Sequence, residues 1–137
     1  MTQAQKDDGW KSYDLDRKAQ ELVLKARDRD RDSLNQSYKM RMATPYGLER
    51  FWGEHLRLKG KEKSKSQYWQ ETWEALVEMM ANAGIKIPND RVNPEDTSTI
   101  QAMSEKLWKI DLQDQRVALA VLTQLCDCIV WWTQRYK

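Results

Sequence analysis

Histidine occurs once, at His55, and cysteine twice, at Cys126 and Cys128. A zinc site or a Ser-His-Asp triad is therefore short of parts. The two cysteines stand two residues apart, and on a helix that spacing turns their side chains about 200° away from each other. They can neither bridge to one another nor grip one metal ion, which leaves them as two small buried apolar residues. Glycine (five) and proline (three) are scarce in a chain of 137 residues, a composition that favours long helices joined by short turns. There is no phosphate-cradling glycine loop, no Gly-x-Ser-x-Gly elbow and no His-Glu-x-x-His helix. Carboxylate pairs such as Glu71 with Glu74 or Glu78 lack the histidines or further acids of a metal site and read as a solvated face. The expectation is a chain that is not an enzyme, with no metal, no cofactor and no small-molecule substrate. A charged-then-apolar N-terminal signal is also missing, so secretion is not expected and a cytoplasmic location is.

No run alternates as a strand does, and no internal repeat is visible. What the sequence has instead is the apolar block from Val117 to Trp132. Its apolar residues outnumber those of one buried stripe, so the helix carrying it should be packed on most of its circumference. Asp111 is placed to cap that helix, Asp114 adds negative charge to the first turn, and Arg135 with Lys137 adds positive charge at the other end. From Asp111 to Tyr136 it would run roughly 37 Å at about 1.5 Å per residue. A membrane span competes with this reading. Thr123, Gln124 and Asp127 interrupt the block, however, and it falls short of the ~20 apolar residues a span requires.

Upstream, the pattern breaks into further helices. Residues 1–9 are polar and aperiodic, which suggests a disordered start. Leu15, Ala19, Leu22, Val23 and Ala26 have helical spacing, weakly continued by Leu34, Tyr38 and Met42, as one long helix or two nearly collinear ones. In the intervening RDRDRD run, Arg27 with Asp30 and Asp28 with Arg31 are spaced to pair across a turn on a solvated face. Thr44-Pro45 reads as a helix start with Leu48, Phe51, Trp52, His55 and Leu56 inside. His55 falls among apolar positions, as a packed core-edge histidine. Lys59 to Lys65 then reads as a flexible basic loop, and Ser66 as the cap of a helix bearing Trp69, Trp73, Leu76, Val77 and Met80 that stops at Gly84. The stretch 85–95, with two prolines, is the longest irregular connection. Asp96 or Thr97 caps a shorter helix with Ile100, Met103, Leu107 and Trp108 inside. The expected fold is all-α: a single helical domain over residues 1–137, a compact bundle of about five helices with a long central C-terminal helix.

The net charge of +2 hides an asymmetry, because residues 1–65 hold 16 Lys and Arg against 11 Asp and Glu, whereas 66–137 hold 7 against 10. The basic excess gathers in Lys39, Arg41, Arg50, Arg57, Lys59, Lys61, Lys63 and Lys65, interleaved with Tyr46, Phe51 and Trp52. Cations along a track are nearly all that backbone binding to a nucleic acid needs, since counterion release does not depend on base identity. A lysine-rich loop that only aids solubility has the same composition, and Phe51 and Trp52 read as core before they read as stacking platforms. Of the seven tryptophans, Trp69, Trp73 and Trp108 lie on expected core faces. Trp131 and Trp132 are adjacent and must point different ways, so one of them should reach the surface. Tryptophan is enriched at interfaces, which makes Trp131, Trp132 and Arg135 the candidate protein contact.

The closing segment DQRVALAVLTQLCDCIVWWTQRYK resembles the C-terminal end of the large subunit of type I-D CRISPR effector complexes. In that family the same region also occurs as a separate small subunit made from an internal start. The resemblance covers about the last 25 residues, together with size and class, and has no catalytic motif to anchor it. It implies a compact helical bundle present in more than one copy within a Cascade-like complex. There it would contact other subunits and the guide RNA–target DNA duplex or the displaced strand, without chemistry of its own. Guide pairing would supply the specificity, and backbone contacts would help tip a nearly balanced strand exchange. A structural adaptor that docks by its terminal aromatics, with no nucleic-acid role, is the alternative.

Overall fold

The computed structural model describes the backbone from Gln3 onward and the side chains from Leu15 onward, so the disordered start expected over residues 1–9 lies outside the residues described in full. Among the described residues six α-helices follow one another: α1 (Gln3–Arg29), α2 (Gln36–Ala43), α3 (Leu48–Lys59), α4 (Lys63–Asn82), α5 (Thr97–Trp108) and α6 (Leu112–Tyr136). Short 3₁₀ turns join α1 to α2 and α2 to α3, and no strand occurs among the described residues. The fold is all-α with a long C-terminal helix, as the sequence indicates.

Two helix pairs make the bundle: α1 on α6 and α3 on α4, with α2 wedged against both α6 and α4. α6 is the hub. Its residues Ala118, Leu122, Leu125, Cys126, Ile129 and Thr133 are buried, and between Val117 and Trp132 only Ala120, Gln124, Asp127 and Trp131 are exposed. The fully buried residues lie on one stripe at i, i+4, i+7 spacing, the apolar flanks are half-buried, and the exposed face carries Ala120 and Trp131 as well as Gln124 and Asp127. α6 is therefore packed on one face and its flanks rather than on most of its circumference. The expected caps are in place: Asp111 accepts from the Gln113 amide at the start of α6, and Asp96 accepts from Ser98 and Thr99 at the start of α5. Gly84, at φ +83, ends α4 with the Ile85 amide donating back to Met80 O, a conformation a side chain would strain.

Between α1 and α2 the chain departs from the collinear arrangement expected of it. Arg27 Nε donates to Tyr136 O and Gln20 to the Tyr136 hydroxyl, each at 2.9 Å, which sets α1 parallel to α6. Ser37 lies 2.6 Å from Thr133, and Arg41 binds Asp127 at 2.6 Å, so α2 runs the opposite way. The chain reverses at the Asp30 to Asn35 turn, where the Asp30 carboxylate caps by accepting from Asp32 N, rather than continuing collinearly. The RDRDRD run is not a self-paired solvated face either. Arg29 reaches across to Glu71 on α4 and Arg27 to the end of α6.

At the reversal, a buried hydroxyl cluster joins α2, α4 and α6. Ser37 Oγ lies 2.6 Å from both Tyr68 OH and Thr133 Oγ1. Burial pushes the Tyr68 phenol up to about 12 against the opposing effect of these hydroxyl partners, so it remains neutral. Next to it Trp69 Nε1 donates to Gln36 at 2.9 Å. The α3–α4 pair is cemented by aromatics, with Phe51 4.8 Å from Trp69 and 6.4 Å from Trp73 between ring centroids. Phe51 and Trp52 are both fully buried, so they are core and not stacking platforms.

Candidate nucleic-acid interface

Lys59 ends α3, residues 60–62 turn, and Lys63 opens α4. The expected flexible loop is therefore a tight helical hairpin, closed by Lys61 N to Leu58 O at 3.2 Å and Glu62 N to Leu58 O at 2.8 Å. Ser66 does not cap α4. It lies buried one turn inside the helix, where its Oγ donates to His55 O at 2.6 Å and ties the two helices together. Thr44-Pro45 does not start α3 either. These residues form a 3₁₀ turn, Thr44 Oγ1 donates to Arg41 O, and α3 begins beyond Gly47.

Lys59, Lys61, Lys63 and Lys65 are thereby gathered around one three-residue turn. Lys59 suits the C-terminal end of α3, whereas Lys63 and Lys65 stand in the first turn of α4, which has no acidic residue and whose N-cap, Glu62, makes no side-chain cap hydrogen bond. Cations at the positive end of a helix dipole oppose the usual preference. The amides of that first turn and the ammonium groups around it suit an anion, and the Glu62 carboxylate at the N-cap offsets part of their charge. Lys65 is partly tied to Glu62 at 3.2 Å. Lys59, Lys61 and Lys63 are exposed and form no ion pair among the described residues.

The other candidates in the basic stretch disperse. Arg57 is exposed on α3 but bound to Glu54, whose hydrogen bond is the main cause of its raised pKa. Arg50 lies at the opposite end of α3, its guanidinium 5.0 Å from the Tyr46 ring. Lys39 is exposed on α2, and Arg41 is held by Asp127 on α6. The eight cations are thus one cluster of four and four scattered residues.

His55 is buried as expected, with Nδ1 2.6 Å from Trp52 O. Burial lowers its pKa, and nearby Lys59 adds to the effect while the backbone hydrogen bond opposes it. Burial pushes the Cys126 thiol up to about 12 and Cys128 up to about 11, which leaves both without thiolate character at neutral pH. No cluster of metal-ligating side chains occurs among the described residues.

At the C-terminal end Trp131 is 56% exposed. Trp132 is partly buried, stacked on Tyr136 at 5.7 Å with the exposed Arg135 5.5 Å above its ring. The surface tryptophan of the pair is therefore Trp131. Trp108, expected inside, is 59% exposed. It is four residues beyond buried Ser104, so its spacing fits the stripe. It is also the last residue of α5, a helix that packs chiefly on α3, and no neighbouring helix covers it. α6 is long and apolar enough by composition to cross a membrane, while its exposed stripe carries Arg116, Gln124 and Asp127.

Fold and surface together define a small all-α bundle with a lysine-ringed helical hairpin. Comparison with protein-family models, with curated proteins and with solved structures gave no match.

Proposed function

We propose that the chain is a non-catalytic nucleic-acid-binding subunit that grips the phosphate backbone without reading sequence. The carrying observation is the gathering of Lys59, Lys61, Lys63 and Lys65 around one tight turn at the uncapped start of α4. Lysines carried on a fixed helical turn, three of them exposed and Lys65 shared with Glu62, lose less backbone freedom on binding than lysines on a loose loop, and displacing counterions from phosphates rewards each contact whatever the base. Together with the likeness of its last 25 or so residues, this favours the small subunit of a type I-D Cascade-like CRISPR complex. In that setting the protein is cytoplasmic and assembles with other subunits and further copies of itself. It stabilises the guide RNA–target DNA duplex or the displaced strand, with no membrane contact and no small-molecule substrate. The test is binding of the purified protein to a labelled single strand and to an RNA–DNA hybrid. Replacing the four lysines with glutamine should abolish most of the affinity; unchanged affinity would overturn the proposal.

The exposed indole of Trp131 favours a second reading, a helical adaptor that docks on a protein partner through the end of α6. Trp131→Glu should then abolish assembly with the partner subunits while leaving the helical content intact, and retained assembly would count against it.

A further inference from the structure

The basic corner accounts for phosphates, but it leaves unexplained a cleft at the opposite end of α3. There Tyr46, 70% exposed, and Trp108, 59% exposed, line the same open cleft of about 320 Å³ together with Glu49, Arg50 and Gln115. Four elements build it: the 3₁₀ turn before α3, the first turn of α3, the end of α5 and the start of α6. Gly47, at φ +98, permits the sharp exit that leaves Tyr46 outside while Leu48, two residues on, is buried. Large aromatic rings left in water at a concave surface forgo burial that the fold gives Trp52, Trp69 and Trp73.

We infer that this cleft takes one unpaired nucleobase of a single strand, stacked against Tyr46 and Trp108, with Arg50 on its phosphate. Every base offers a flat π-face, and aromatic side chains stack on it with little regard to identity. Arg50 already lies over the Tyr46 ring, a position from which its guanidinium both extends the stacking surface and meets an adjacent phosphate. The Glu49 carboxylate accepts from Ser104 Oγ at 2.9 Å, and the Gln115 amide donates to Ile110 O at 2.6 Å. Both polar groups are thus fixed in place along the cleft, where a base presents its hydrogen-bonding edge. A duplex keeps its bases stacked inside, so the cleft would select a displaced or unpaired strand over paired nucleic acid.

This inference rests on the backbone-binding reading, and its test separates the two. A labelled oligothymidylate is compared with a strand of equal length carrying abasic sites, so that phosphates are matched and only bases differ. Wild-type protein should prefer the base-bearing strand by about tenfold, the scale of one stacking contact. Trp108→Ala and Tyr46→Ala, both at exposed positions, should lose that preference while keeping the salt dependence, and Trp108→Phe should retain most of it. Equal binding of the two strands, with the salt dependence intact, would overturn the base cleft and leave the backbone reading standing. A preference that survives both alanine variants would also overturn it, as expected if the cleft serves a peptide. Failure of wild type to bind either strand would overturn both.

Discussion

The two ends of α3 carry different chemistries. At its C-terminal end, four lysines surround a tight turn with no exposed aromatic residue among them. At its N-terminal end, two exposed aromatic rings share a cleft with a single arginine. The lysine end comes from one contiguous stretch, residues 59–65, and asks only that cations be close together. The aromatic end needs four elements brought together, because Tyr46 and Trp108 are far apart in sequence. Along the chain, Tyr46, Arg50 and the lysines look like one track; the helix holds the two ends about 18 Å apart at 1.5 Å per residue. A polyanion grip can thus be written locally, whereas a stacking cleft depends on the fold.

The most drastic way to break this comparison is to remove the frame that holds the ends apart. Phe51 is fully buried between Trp69 and Trp73, and Phe51→Ala should cost about 3–5 kcal/mol in urea unfolding, with both binding behaviours lost together. Next comes the lysine end alone. Glutamine at Lys59, Lys61, Lys63 and Lys65 should flatten the salt dependence of single-strand binding by up to about 3 in log–log slope, at ~0.7 per phosphate contact, and leave unfolding nearly unchanged. Smaller is the loss of the α5 cap. Asp96→Ala removes the carboxylate that accepts from Ser98 and Thr99 and should lower the urea midpoint only slightly. Hydrogen exchange should show α5, which presents Trp108, loosening while α3 and α4 keep their protection.

The mildest effect is a pH dependence at the lysine end. His55 has a folded-state pKa below its ordinary 6.5, chiefly because of burial, so the unfolded chain binds the proton more readily. Stability contributed by neutral His55 is fully present above pH 6.5 and is lost as pH falls through that value toward the folded pKa. The urea midpoint of wild type should decline over that window, and His55→Gln should remove that part of the decline.

Much of this was readable in the sequence wherever the governing interaction is local. Asp96, Asp111 and Gly84 mark helix ends because a cap acts within three residues of itself, and the existence of α6 follows from its own apolar run and end charges. The failures occur where a distant partner decides. RDRDRD offers good pairs across one helical turn, yet Arg29 is taken by Glu71, forty-two positions away. Ser66 resembles a helix cap, but its hydroxyl is claimed by His55 O, and the buried Tyr68 and Trp69 beyond it draw the lysine-rich stretch into α4. Trp108 fits its stripe by spacing, and only the packing of α5 against α3 leaves it uncovered. The lysine cluster was legible as a set of residues; its compactness, and its separation from Arg50 and Arg41, were not.

The most direct test of the central claim is the salt dependence of single-strand binding measured side by side for wild type, the four-lysine variant and Trp108→Ala, between about 50 and 200 mM salt. Wild type should give a steep straight line on log–log axes, the four-lysine variant a much flatter one, and Trp108→Ala a line parallel to wild type but displaced to weaker binding. A wild type that does not bind, or a four-lysine variant with the wild-type slope, would contradict the account.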